Sequence, residues 1–168
     1  MSRNLTILAI VALFCFVVLG LAWAVRRGPF RDPQDALLDF CSGEDRAEDQ
    51  LMDPLILAGF RVRSLVIRNV ADIQMCRRRY AILYLGCADV KDSLPVLIAI
   101  LENEEEPNYF RCDALEAISL IDPRRGQALA NNYTETTHPL SKCANAIVNG
   151  HSDTRCRTWS DAFFHRHD

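Results

Sequence analysis

Between Arg77 and Asp122 the chain writes one pattern twice. Arg78, Ala81, Tyr84 and Leu85 recur as Arg111, Ala114, Ala117 and Ile118, each displaced by 33 positions. Steps of three and four place the members of each set on one face of a helix. Between the copies, Asp92 to Leu101 is rich in leucine and isoleucine and reads as a second helix. A two-helix unit of this length cannot bury its apolar face alone and must stack on a neighbour, so the period restricts the fold to an array of helical hairpins.

The remaining elements fall around that array. Asp32-Pro33 offers an N-cap carboxylate and a first-turn proline for a helix ending near Ser42-Gly43. Leu51 to Ala58 is apolar with Pro54 inside it, either as a restart or a kink, and ends at Gly59. Val62, Leu65, Val66, Val70 and Ile73 then keep helical spacing, which makes this pair a degenerate first copy. The second copy is expected as helices Cys76–Cys87 and Asp92–Leu101, the latter capped by Asp92. The third is expected as Phe110–Ile121 and, after the cap-and-proline pair Asp122-Pro123, Arg124–Tyr133. Glu104-Glu105-Glu106-Pro107 reads as a solvated acidic loop. Leu140–Val148 is a further short helix, and Trp159, Ala162 and Phe163 give the tail an apolar face that can close the open end of a stack.

The motif Arg78-x-x-Ala81-x-x-Tyr84-Leu85-Gly86, followed by Leu94-Pro95-x-Leu97-Ile98-x-x-Leu101 and repeated at Arg111-x-x-Ala114-x-x-Ala117-Ile118, resembles the HEAT-repeat family. It is most similar to the short bacterial HEAT-like repeats also found in phycobilin lyases. The resemblance runs from about Gln50 to Tyr133. It implies an all-α fold: a short α-solenoid of about three HEAT-like helical hairpins with a capping C-terminal helix. Arg78, Ala81, Leu85, Arg111, Ala114 and Ile118 would be its packing residues. It further implies a scaffold that binds another protein along a curved helix face. In such solenoids second helices line the concave side, which singles out Arg63, Arg68, Arg124 and Arg125 as partner contacts. A bilin-handling accessory is the alternative that the lyase sub-group carries.

Ahead of the array, Leu5 to Val25 is 21 residues without a charge, interrupted only by Thr6 and Gly20. About 20 apolar residues suffice to cross a bilayer as a helix, whereas a signal peptide's apolar core is about 7–15 residues. An uncleaved membrane anchor is the expectation, with a cleaved signal as the rival because Ala22-Trp23-Ala24 has the small residues of a cleavage site. Cys15 follows bulky Phe14, which argues against a lipoprotein. Residues 1–27 are therefore the membrane or signal segment, 28–43 a linker and first helix, 44–150 the solenoid, and 151–168 the cap and tail. A cleaved product would be a secreted inhibitor or immunity-type protein.

Charge and cysteines narrow the compartment and the partner. From Gly28 onward 16 basic residues face 22 acidic ones, a net of −6. That balance argues against nucleic acid, whose phosphates supply much of a binder's affinity through lysine and arginine. Six cysteines (Cys41, Cys76, Cys87, Cys112, Cys143 and Cys156) fit disulfides in an oxidising compartment, or buried thiols in a reducing one. Cys76 and Cys87, on one expected helix, cannot pair with each other. Cys143–Cys156 is the preferred pair, with Cys112–Cys143 its competitor.

No phosphate loop, nucleophile elbow or zinc-protease motif occurs. Neither catalytic, cofactor nor metal residues are expected: His165-x-His167 with Asp168 reads as a polar terminus, and no histidine is placed beside a cysteine. Arg77-Arg78-Arg79 reads as one arginine paired inside the stack with two solvated neighbours, in preference to an anionic docking patch. Asn132-Tyr133-Thr134 is a glycosylation sequon.

Overall fold

A computed structural model describes residues 10–20, 31–43, 46–151 and 156–164. Their regular secondary structure is all helical, with no strand among the described residues. Helix α1 covers the described part of the N-terminal run, 10–20. It is followed by α2 (Pro33–Ser42), α3 (Asp53–Ala58), α4 (Arg63–Val70), α5 (Arg78–Cys87), α6 (Leu94–Glu102), α7 (Asn108–Ile121), α8 (Pro123–Ala130), α9 (Ser141–Val148) and α10 (Trp159–Phe164). Glu44, Ala22 to Ala24 and the His165–Asp168 terminus lie outside the described residues.

The helix starts follow local chemistry. Asp32 caps α2 by accepting the Gln34 N–H at 2.8 Å, with Pro33 next in line. Asp122 caps α8 in the same way, accepting from the Arg125 N–H at 3.1 Å ahead of Pro123. Asp53-Pro54 restarts a helix and does not kink one, since α3 begins at Asp53. Its end at Gly59 needs φ of 63° with ψ of −140°, a conformation open to glycine and strained for any other residue. Asp92, by contrast, caps nothing. It lies in a 3-10 turn, Lys91–Ser93, and α6 begins only at Leu94; Ser93 is buried and spends its hydroxyl on the Val90 carbonyl at 2.6 Å.

Helix α7 is central. It packs side by side with α5, and α6 and α8 also pack on it. The duplicated residues meet there: Ala81, Leu85, Ala114 and Ile118 are all fully buried in one continuous core. Closeness is set by small residues. A Cβ on Gly86 of α5 would lie 2.7 Å from Cα of Ala117, and one on Gly126 of α8 would lie 2.4 Å from Cα of Ser119. Neither distance is tolerable, so glycine fixes the approach of both helices to α7.

The first pair departs most from expectation. Helix α4 stops at Val70, and Ile73, placed in its apolar stripe by spacing, lies beyond its end and 50% exposed. Likewise Cys76 precedes α5 and is not on it, because Arg77 takes a left-handed conformation (φ 48°) that breaks the chain direction. The tail crosses back over the chain: helix α10 packs on α3. Arg157 explains the route, donating from Nε to Asp53 at 3.0 Å and from Nη1 to Asp49 at 3.1 Å.

Candidate functional site

The two repeat arginines do the same thing in successive positions. Arg78 donates from Nε to the Val70 carbonyl in the last turn of α4, at 2.8 Å. Arg111 donates from Nε to the Leu101 carbonyl in the last turn of α6, at 2.9 Å. Each therefore satisfies a helix-end carbonyl that has no intrahelical partner, and places a cation at the negative end of the preceding helix dipole.

Arg78 goes further. Its two terminal nitrogens donate to Glu106 at 2.6 and 2.7 Å, and its guanidinium carbon lies 4.8 Å from the Phe110 ring centroid. Glu106 is thus not part of a solvated loop, although Glu104 and Glu105 are exposed. Its neighbours in the arginine run are also engaged. Arg77 donates to the Phe40 and Gly43 carbonyls at the end of α2, which corrects its reading as solvated. Arg79, itself mostly exposed, donates to buried Asp113 at 2.9 Å. Burial pushes the Asp113 carboxyl up to about 6, against the pull of Arg79. At Asp39, burial raises and the Arg31 hydrogen bond and the Arg46 and Arg31 charges lower, and the sum lies below the usual carboxylate value.

Three disulfides tie these elements: Cys41–Cys76, Cys87–Cys156 and Cys112–Cys143, with Cα separations of 5.5, 5.2 and 6.1 Å. The expected Cys143–Cys156 bridge is absent. Cys143 takes Cys112, the competing choice, and Cys156 is carried by the returning tail to Cys87. Cross-links of this number point to a protein that is extracytoplasmic or secreted.

The four arginines expected as partner contacts do not line one common cleft. Arg68, Arg124 and Arg125 are exposed and Arg63 is half-buried. Arg124 lines a shallow groove of about 460 Å3 with Lys91, Leu94, Ile121, Asp122 and Pro123, between the starts of α6 and α8. Arg63 lines a separate cleft of about 290 Å3, and neither Arg68 nor Arg125 borders either one.

That second cleft is the better formed site. Its floor is Tyr84, whose hydroxyl donates to the Gly59 carbonyl at 3.2 Å. Burial drives the Tyr84 phenol up to about 12, with the Arg63 guanidinium beside it pulling the other way. Met52 and Ile56 of the α3 region form one wall; the Cys87–Cys156 bridge, Arg157 and Trp159 form the other. The Trp159 ring stacks on Phe163 at 4.6 Å and remains 44% exposed. Sequence reasoning named Arg63 but missed Tyr84 and Trp159 as its neighbours. The tail's return to α3, which brings Trp159 there, has no local signal.

Among the described residues no group of three or more metal-ligating side chains is gathered, and no helix is long and apolar enough to cross a membrane. The run Leu5 to Val25 lies partly outside those residues; within it, α1 presents Ile10, Leu13, Phe14, Phe16 and Leu19 exposed. Compared with family models, curated proteins and solved structures, the chain matches none.

Proposed function

We propose that this chain is a membrane-tethered, non-catalytic scaffold that binds another protein outside the cytoplasm, built as a short α-solenoid of HEAT-like repeats. The observation that carries the reading is the repeated arginine: Arg78 and Arg111 each join the start of one unit to the end of the preceding helix, at Val70 and Leu101. A link that recurs with the sequence period is what a stacked array requires. The tether rests on the uncharged run Leu5–Val25, whose described apolar side chains are exposed. Contact with the partner is assigned to the exposed arginines Arg68, Arg124 and Arg125, with half-buried Arg63 at one end. Arginine is favoured at protein interfaces because its planar donor fork forms directional bonds.

Site-directed photo-crosslinking in the native membrane tests the binding surface. Probes replacing Arg68, Arg124 and Arg125 in turn should give one and the same adduct, while a probe at exposed Glu104 should not. No adduct at any arginine position, or the same adducts at Glu104, overturns the reading. A second reading, a secreted inhibitor or immunity-type protein, is favoured by Ala22-Trp23-Ala24. N-terminal sequencing decides between them: a mature start at Val25 removes the tether, and an intact Leu5–Val25 run retains it.

A further inference from the structure

The cleft over Tyr84 holds a positive charge that no described residue pairs with. Arg31 and Arg46 share Asp39, Arg78 has Glu106, Arg79 has Asp113, and Arg157 has Asp49 and Asp53. Arg77 and Arg111 are held by helix-end carbonyls. Half-buried Arg63 forms no ion pair among the described residues, and its Nε is closed off from solvent without any hydrogen-bond partner. Its neighbour is the Tyr84 hydroxyl, a neutral group whose own proton goes to the Gly59 carbonyl. A guanidinium withdrawn from water with only a neutral acceptor is costly, and an anion entering the cleft removes that cost.

The other lining residues restrict the anion. Arg157 brings its charge already compensated by two aspartates, so among the described residues lining the cleft a single free cation remains, and a singly charged, planar acceptor suits it. Met52, Ile56 and the exposed face of Trp159 offer apolar contact. A volume of about 290 Å3 is at the lower end of ligand sites, enough for one side-chain-sized group and too small for a nucleotide cofactor.

We propose that this cleft binds a carboxylate carried on a single apolar group, with the carboxylate on Arg63 and the apolar group between Trp159 and Met52. Two sources share that chemistry: a free aromatic or aliphatic acid, and the last residue of a polypeptide ending in a hydrophobic side chain. The site needs neither a tether nor a solenoid, so its failure and that of the scaffold reading are separate results.

The test uses the oxidised full chain in a non-ionic detergent, with calorimetry and saturation-transfer NMR. The probes are 3-phenylpropionate, its amide, and the peptide acetyl-Gly-Gly-Phe with a free or an amidated terminus. Saturable binding of both acids is expected, with each amide at least about tenfold weaker, the range for losing a charged hydrogen-bond partner. Arg63→Gln should weaken the acids at least about tenfold, Arg63→Lys should keep part of the affinity, and Lys142→Gln, at an exposed cation outside the cleft, should change nothing. Trp159→Ala, on a terminal helix, provides a second loss of binding should Arg63→Gln lose its helical circular dichroism. Tighter binding of the peptide assigns the source to a chain terminus, and tighter binding of the free acid to a small molecule; either ordering upholds the shared chemistry. Equal binding of acid and amide, wild-type binding by both Arg63→Gln and Trp159→Ala, or no binding of either acid up to its solubility overturns the proposal.

Discussion

Removing Glu106 should cost this domain a large part of its stability. Arg78 is 2% exposed and Glu106 8%, and two hydrogen bonds of 2.6 and 2.7 Å join them. Taking away one member of such a pair leaves a charge buried without its counter-ion, at a cost of about 3–5 kcal/mol. The Val70 carbonyl and the Phe110 ring remain in contact with Arg78, and a glutamine oxygen can still accept one bond. Glu106→Gln therefore belongs at the low end, about 3 kcal/mol, against about 5–15 kcal/mol for a whole domain. At about 4 °C per kcal/mol for a domain of this size, the thermal midpoint should fall by about 12 °C. Urea unfolding of the oxidised protein, followed by circular dichroism, measures the difference directly. Glu104→Gln and Glu105→Gln, in the same acidic run but exposed, should stay within about 0.5 kcal/mol of the parent. Replacing both partners, Arg78→Met with Glu106→Leu, should recover much of the loss, because the fold then buries no lone charge. If Glu106→Gln behaves like Glu104→Gln, the pair is not a buried ion pair and the reasoning fails.

Other consequences follow from single contacts. Gly86→Ala should destabilise by about 1–3 kcal/mol, since the added methyl would fall 2.7 Å from the Ala117 Cα; an unchanged urea midpoint would mean that α5 and α7 stand further apart. The Asp113 carboxyl titrates near 6 when folded and near 3.8 when unfolded, so between those values the folded state holds the extra proton. Its contribution to stability therefore falls as pH rises from about 4 to about 6, and Asp113→Asn should remove that slope; NMR titration of the side-chain carbon should show a midpoint near 6. Asp122→Ala should cost about 1 kcal/mol through the lost cap on α8, read from the same unfolding curve. Peptide mapping without reduction should recover Cys41–Cys76, Cys87–Cys156 and Cys112–Cys143, and a Cys143–Cys156 fragment would refute the path of the tail.

What could be read from the chain was what neighbouring residues decide together. The burial of Ala81, Leu85, Ala114 and Ile118 and the caps at Asp32 and Asp122 follow from spacing and short-range hydrogen bonds. Glu106 was misread because three successive acids look solvated. Nothing local marks the third as the partner of an arginine 28 positions earlier. The cleft was hidden for the same reason at greater range, since it depends on Arg157 reaching Asp53 across 104 positions. Six cysteines allow fifteen pairings, and spacing alone does not say which helices will be adjacent.

The order of the cysteines has a practical outcome for anyone shortening this protein. Cys41–Cys76 and Cys112–Cys143 enclose 35 and 31 positions, whereas Cys87 must wait 69 positions for Cys156. During synthesis the partners of Cys41 and Cys112 emerge before Cys156 does, so Cys87 is the cysteine whose native partner comes last. A product cut before Cys156 would thus keep a lone thiol beside Tyr84, available to cross-link two copies, and would lose Trp159 in the same stroke.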